Sequence, residues 1–438
     1  MDNSQKDELA KIVSFESIAS NKPAIKQTVN FLTKKLGTIG FKVEIVNTPG
    51  VNPIIIAEIG SGKKTINIYN HYDVQPAEEP ELWTGSPFQL SESNGKLIAR
   101  GIADNKGNLM SRIHAIEELL KDGIKLKNKI RFIIEGEEEI GSPGLVKFSE
   151  DYESILKDAD LCVWEMGKIG PKGNPVMVLC MKGILYVEVT TTIGELDLHS
   201  AKASLFDSAI WKHLEVLNSI RSEQGDILVP GINELIEKPS TEEYALLDRL
   251  AENKKFLLES NGRENFINSA DQRTAFASLY FKPTANICGI NGGFNQPGKI
   301  KTVLPKTITS KIDFRLVAGM DPEKVLELLE KHLSNKGFTH TKINKLIAVP
   351  VGKTDMSNEA FQKGLAIIKS SYKKEVDLQM TTGGTGPYYY LASKFNVPVI
   401  NFGCGHEGSN EHAPNENIFI NDYDAAKSAM KELVQEFE

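Results

Sequence analysis

Two adjacent acids, Glu138 and Glu139, stand in the segment EGEEEIGSPG (135–144), just after the apolar run 130–134. The run reads as a buried strand, and charge begins where it ends. Carboxylates at the point where a strand emerges are where an α/β protein builds a site. One such acid can hold a cation, and its neighbour can take a proton from water on that cation. An acid pair alone is also an ordinary solvated surface feature, so the reading depends on matching groups elsewhere.

Four further stretches carry such groups. In YNHYDVQP, His71 follows a predicted strand over 65–70 and Asp73 lies two residues on. A ligating imidazole usually donates its second N–H to a carboxylate, which this spacing supplies; the alternative is a strand-end histidine with an Asp turn. In ARGIADNKGN, Asp104 lies between a glycine turn and a helix start, where it serves equally well as an N-cap. In CVWEMG, Glu165 closes an apolar stretch, and an acid at the end of a buried strand is either paired or functional. In GCGHEGSNEHAPNE, His406 and His412 share a loop rich in Gly, Asn and Pro. Loops on a rigid scaffold tend to carry function; His406 is read as a surface histidine.

The elements that must position these groups follow from periodicity. Ile25, Val29, Leu32 and Leu36 fit one helical face, and Leu109, Ile113, Ile116 and Leu120 another. Strands are predicted over 53–59, 65–70 and 129–134. The texture changes near Lys182-Gly183. A β-branched strand over 184–191 leads to a helix with Ile210, Leu214 and Leu217 on one face, then a charged helical stretch over 242–260. Strands near 285–289 and 307–317 come next, then a helix over 322–333 that Asp321 would cap, and a strand near 341–349. That order reads as a small α+β unit inserted into an α/β domain. A glycine-rich loop (382–386), a strand (397–402) and a closing helix (425–437) complete the chain. The predicted division is 1–183 and 350–438 for the α/β domain and 184–349 for the insert.

The chain of 438 residues is 40% hydrophobic and 25% charged, the composition of a globular protein with ample core. Its net charge of −7 disfavours nucleic acid and anionic membrane as partners. The start, MDNSQKDELAK, has no apolar signal core, and no apolar stretch has the length of a membrane span. Four scattered cysteines without a CxxC pair argue against a disulfide framework or a thiolate zinc site, and point to a reducing cytoplasm. The absence of GxGxxG and P-loop sequences argues against a nucleotide-binding enzyme.

HYDVQP, RGIADNKG, EGEEEIGS, the acid at Glu165, DLHSA and NEHAPNE occur in the order found in the aminoacylase and carnosinase-type family of di-zinc metallopeptidases. The chain resembles that family over nearly its whole length. Within the insert, ILVPGIN, GKIKTVLP and DFRLVAGMDPEKV look most like its carnosinase and non-specific dipeptidase branch. The resemblance implies a catalytic domain with a mixed sheet covered by helices on both faces. It also implies that 184–349 is a ferredoxin-like lid through which two copies form a homodimer.

By motif, the resemblance assigns His71, Asp104 and Glu165 to one metal and Asp104, Glu139 and His412 to a second, with Asp104 bridging and Asp73 behind His71. Glu138 would be the general base. His199 of DLHSA would act from the partner subunit, although it also reads as a helix-entry cap. Arg315 would bind the substrate's free carboxylate, with Asn286 and the loop residues Gly383, Gly384 and Thr385 lining the substrate. The open nitrogen and oxygen set suits two Zn(2+) per subunit, with Mn(2+) or Co(2+) as substitutes.

The function implied is hydrolysis of an amide next to a free C-terminal carboxylate, by a dipeptidase or short-peptide carboxypeptidase. An N-acyl-amino-acid deacylase is the alternative within the family. A non-catalytic metal-binding dimerisation protein is the alternative of another class, against which the presence of Glu138 speaks. Two departures weigh against strict dipeptidase specificity: Glu165 stands where carnosinase-type relatives usually carry Asp, and Thr381-Thr382 stand where they often carry charge.

Overall fold

The computed structural model describes residues 1–48, 51–250 and 254–438. Two helices, α1 (Asn3–Val13) and α2 (Lys22–Ile39), come first. Asn21 caps α2 by accepting from Ala24 N, and Gly40 ends it at φ +107°, a conformation that glycine adopts at little cost. Strands β1 (Lys42–Val46), β2 (Ile54–Ile59) and β3 (Thr65–His71) follow, then α3 (Gly107–Lys121), β4 (Lys129–Glu135), α4 (Pro143–Asp151) and β5 (Leu161–Trp164). The next section holds β6 (Gly183–Thr192), α5 (Ala209–Ile220), α6 (Gln272–Phe281), β7 (Thr284–Asn291), β8 (Thr307–Leu316), α7 (Pro322–Asn335) and β9 (Thr341–Val349). The chain closes with α8 (Glu359–Tyr372), β10 (Val399–Asn401) and α9 (Ile420–Glu436).

The central sheet runs β1-β2-β4-β3-β5-β10. Successive strand residues point to opposite faces. Ile55, Ala57, Ile66, Ile68 and Phe132 pack toward Leu32, Leu109 and Leu433 of α2, α3 and α9. Ile54, Ile56, Tyr69, Ile133 and Trp164 pack on the other face with Leu145 and Phe148 of α4. With both faces covered, β3 is buried along its whole length. The strands β3, β4, β5 and β10 are mutually parallel. Their last residues, His71, Glu135, Trp164 and Asn401, therefore emerge along one edge, where open α/β sheets bind ligands.

The second sheet, β7-β8-β6-β9, is antiparallel throughout. Its strand order is that of a ferredoxin-like βαββαβ unit. β6 alternates between buried and half-exposed residues. Leu185, Val187 and Val189 pack against Val216, Leu217 and Ile220 of α5 and Val325, Leu329 and Leu333 of α7. Asp321 caps α7 by accepting from Glu323 N and Lys324 N, as its position predicts.

Three expectations need correction. The stretch 242–260 is not one helix: Thr241–Ala245 and Lys254–Ser260 are separate helices, a 3-10 turn (Leu246–Asp248) follows the first, and 251–253 lie outside the described residues. The face of α5 is offset from the predicted one. Leu217 is buried, but Leu214 is exposed, and His213, Val216 and Ile220 face the sheet instead. The reason is polar: His213 bonds Thr191 Oγ1 (2.9 Å) and Ser310 Oγ (2.7 Å), which sets the rotation of a helix that is apolar on more than one side. Asp104 caps no helix; its side chain turns toward two histidines.

Candidate active site

One buried cation ties the strand ends together. Arg112 of α3 donates through Nη1 to Tyr69 O (3.1 Å) and Asn70 Oδ1 (2.9 Å). Its Nη2 donates to Trp164 O (2.6 Å), Glu165 O (2.9 Å) and Phe402 O (3.2 Å). The ends of β3, β5 and β10 are thus held by one guanidinium whose planar donors suit carbonyls in several directions. Gly136 follows β4 because the ring of Tyr72 lies against it; a Cβ there would sit 2.2 Å from Tyr72 Cζ.

Beyond these ends, the carboxylates and imidazoles converge around Asp104. Its Oδ1 lies 2.9 Å from His71 Nε2, and its Oδ2 lies 2.9 Å from His412 Nε2. Glu165 Oε2 is 3.4 Å from His71 Nε2, and Glu139 Oε2 is 3.1 Å from His412 Nε2. The second ring nitrogen of His71 meets Asp73 O at 3.1 Å and Asp73 Oδ1 at 3.4 Å. Asp73 also reaches the acid pair: Glu138 N donates to Oδ1 (3.2 Å) and Glu139 N to Oδ2 (3.1 Å). One carboxylate therefore fixes both the imidazole and the 3-10 turn Glu138–Ile140. His412 sits at φ +60°, a conformation unusual for a residue with a Cβ, and such strain gathers at functional sites. Asp104, Glu138, Glu139, Glu165 and His412 line a cleft of about 550 Å³ together with Gln75, Met166 and Thr385.

The electrostatics follow from crowding acids at a dry edge. Burial pushes the Glu138 carboxyl up to about 7, against the pull of His71 and with the push of Asp104 and Glu139. Burial raises Glu165 well above the usual carboxylate range. Hydrogen bonds to Asp104 and Glu139 raise His412 to about 10. His71 is also raised: burial opposes this, and Glu165, Asp104 and Asp73 outweigh it. Carboxylates outnumber imidazoles, so the cluster favours positive charge between them. The donor set fits divalent cations. Imidazole nitrogens and carboxylate oxygens meet in two half-sites that share Asp104, and Glu165 Oε2 is buried with no hydrogen bond among the described residues.

The remaining candidates lie on or beside the lid. Arg315 of β8 donates through Nε to Asp313 Oδ2 (3.0 Å) and through Nη1 to Thr385 Oγ1 (3.0 Å), so it spans from the lid to the glycine loop. Asn286 of β7 donates to Asp313 Oδ1 at 2.7 Å. Gly383 has φ +93°, and Gly386 approaches Glu138, so the loop reaches the first acid of the pair. His199 is not brought to the cluster. It is exposed on the ribbon Leu198–His199, and its Nδ1 accepts from Ala201 N at 3.1 Å. His406 also stands apart, with Nε2 3.0 Å from Asn417 Oδ1.

Two supporting residues escaped the sequence reading. Glu416 is fully buried. Its Oε1 accepts from Ala103 N (2.8 Å) and Asp104 N (2.9 Å), and its Oε2 from Gly101 N and Arg100 Nη1 (both 2.8 Å). It holds the loop that carries Asp104. The only signal was its place at the end of NEHAPNE. Gln75 donates through Nε2 to Glu139 Oε2 (3.0 Å), and its backbone N–H to Oε1 (3.2 Å). Its signal was its position two residues after Asp73.

The profile of Peptidase family M20/M25/M40 matches residues 68–436. The Cys-Gly metallodipeptidase dug1 of Schizosaccharomyces pombe is 30% identical over 77% of this chain and 74% of its own length. The Probable di- and tripeptidase DUG2 of Saccharomyces cerevisiae is 26% identical over 95% of this chain, which spans about half (48%) of that relative. Among solved structures, the M20 family metallo-carboxypeptidase Sso-CP2 from Sulfolobus solfataricus superposes with a TM-score of 0.91 at 32% identity, covering 100% of this chain and 99% of that one.

Proposed function

The chain belongs to peptidase family M20/M25/M40 and is a metallopeptidase, and from that premise we propose that it cleaves dipeptides and short peptides at the bond before a free C-terminal residue. The observation that carries this reading is the shared carboxylate, with one oxygen of Asp104 at each histidine and Glu138 lining the same cleft.

His71, Asp104 and Glu165 would hold one cation, and Asp104, Glu139 and His412 the other. Zinc is the natural occupant of such a set, and manganese or cobalt suits the same donors. Such cations supply Lewis acidity toward the scissile carbonyl and lower the pKa of water. Glu138 takes the proton of the attacking water and delivers it to the leaving amine. A carboxylate held at the reacting water can do both. Asp73 keeps Glu138 and Glu139 on one turn, so that one faces the reaction while the other stays with His412. Arg315, with Asn286, Gly383, Gly384 and Thr385 around it, receives the substrate's terminal carboxylate, a match that guanidinium geometry favours.

Residues 1–183 and 350–438 form the catalytic domain in this reading, and 184–349 the lid. The lid supports a homodimer. β7 is an edge strand whose Ile287 and Ile290 are exposed, and Trp211 and Leu214 of α5 are exposed beside Leu205 and Phe206. An open edge and an apolar patch of this kind suit two-fold pairing. His199 on the same unit would then assist the oxyanion in the partner subunit's cleft. A cytoplasmic setting fits the free cysteines and the absence, among the described residues, of a helix long and apolar enough to cross a membrane.

A hydrolysis screen tests the reading. Dipeptides, tripeptides and N-acetyl amino acids are offered to protein loaded with zinc, manganese or cobalt. The expected result is turnover of free-acid peptides that a chelator abolishes. Turnover of N-acetyl amino acids alone would make the enzyme a deacylase.

A further inference from the structure

A second cavity, of about 140 Å³, opens beside Glu138 on the side of the lid. It shares Glu138, Gly141 and Thr385 with the main cleft. Its walls are apolar: Ile184, Ile347 and Val349 of the lid face Pro387 and Tyr390 of the catalytic domain. The Tyr390 hydroxyl donates to Ala348 O (3.4 Å), which joins the two walls.

The lid sheet explains why this pocket lies where it does. Across the four strands, Thr284, Arg315, Ile184 and Val349 are paired in one row. Asn286, Asp313, Tyr186 and Ile347 form the next row on the same face. That face is opposite the one that packs on α5 and α7. Its β7 and β8 side is polar and carries Arg315, and its β6 and β9 side is apolar and carries Ile184, Ile347 and Val349. An arginine suited to a carboxylate thus adjoins an apolar pocket, and Thr385, bonded to Arg315, lines both cavities.

The leaving residue of a cleaved peptide has three groups to place: its amine, its carboxylate and its side chain. Glu138 serves the amine and Arg315 the carboxylate. We propose that the pocket beside Glu138 receives the side chain of the substrate's C-terminal residue and selects branched aliphatic or phenyl groups over glycine and charged residues. The inference rests on the peptidase reading above. The size agrees, since an aliphatic cavity of about 150 Å³ holds a benzene molecule. The lining agrees as well, because apart from Glu138, which the reaction itself engages, its side chains offer a buried charge no ionic partner.

The test uses metal-loaded full-length enzyme and the series Ala-Gly, Ala-Leu, Ala-Phe, Ala-Asp and Ala-Lys. Ala-Leu and Ala-Phe should exceed Ala-Gly in kcat/KM by about tenfold or more, the scale set by burying such a side chain. Ile347 is 41% exposed, so Ile347→Asp is compatible with folding, which circular dichroism checks. That variant should lower the Ala-Leu to Ala-Gly ratio by about tenfold and raise Ala-Lys relative to Ala-Leu. Ile347→Ala should give an intermediate ratio. Dipeptide turnover without C-terminal preference, or best on Ala-Asp or Ala-Lys, would overturn the inference and leave the peptidase reading standing. So would an Ile347→Asp variant that changed only the preference at the N-terminal residue. If neither this series nor the matching Ala-Ala-X tripeptides are cleaved, the peptidase reading fails and takes this inference with it.

Discussion

Glu138 and Glu139 are neighbours with the same chemistry, yet their surroundings separate them. Glu139 contacts His412 and receives two hydrogen bonds from Gln75, whereas Glu138 faces the glycine loop at Gly386. Glu138→Gln should therefore lower kcat by about 100-fold or more, the scale of losing a general base, with metal content unchanged by elemental analysis. Glu139→Gln should instead lower metal content. The opposite pattern would exchange their roles. Glu416 acts one layer out, through the backbone of Asp104. A Gln amide cannot accept from all four of its donors, so Glu416→Gln should weaken metal binding by about 10- to 100-fold, as loss of outer-shell support typically does. A competition titration against a chromophoric chelator measures this, and unchanged affinity would remove the positioning role.

At the level of elements, a charged clasp binds α1, α2, α3 and α9. Glu8 of α1 accepts from His114 of α3 (2.8 Å) and Lys35 of α2 (2.7 Å). Glu118 of α3 meets Lys427 (2.7 Å) and Lys431 (3.0 Å) of α9. Burial alone would raise both carboxyls, but these bonds outweigh it and hold each at about 2, below the ordinary 4.5. The unfolded chain thus takes up these protons first as pH falls. The clasp's contribution is complete above about 4.5 and is lost between there and about 2. Each partly exposed pair contributes modestly. A Glu8→Gln, Glu118→Gln double variant should therefore show a shallower fall of Tm from about pH 5 to about pH 3 than the parent. Equal slopes in a thermal melt series would assign the acid sensitivity to other carboxylates.

At the level of the molecule, the proposed reading divides the site between two copies. The His199 side chain is exposed and, among the described residues, accepts from Ala201 N, while Glu138 lines the cleft. If two copies pair through β7 and α5, each cleft combines its own Glu138 with His199 of the partner subunit. His199→Ala and Glu138→Gln proteins should each be nearly inactive alone. After subunit exchange, mixed dimers hold one complete site and should recover activity. Absence of recovery in demonstrated heterodimers, or a monomer by sedimentation at working concentration, would exclude the shared site.

Much of this was legible in the linear chain because it depends on local spacing. An apolar run followed by acid placed Glu138, Glu139 and Glu165 at strand ends, and the 3.6-residue repeat of Ile25, Val29, Leu32 and Leu36 marked the buried face of α2. Ordered short motifs carried the candidate ligands and the family. Local spacing could not decide which groups meet across the fold. Glu416 reaches Asp104 across 312 residues, and Arg112 reaches Phe402 across 290. No local pattern encodes such pairings, because they depend on how helices and strands pack after they form. The rotation of α5 turned on two hydrogen bonds to strands distant in sequence. The apolar pocket exists because sheet register sets Ile184, Ile347 and Val349 on one face, and because Tyr390 closes it from another domain. Residue types and their spacing determined the chemistry available to this chain; the packing of distant segments decided which atoms that chemistry can reach.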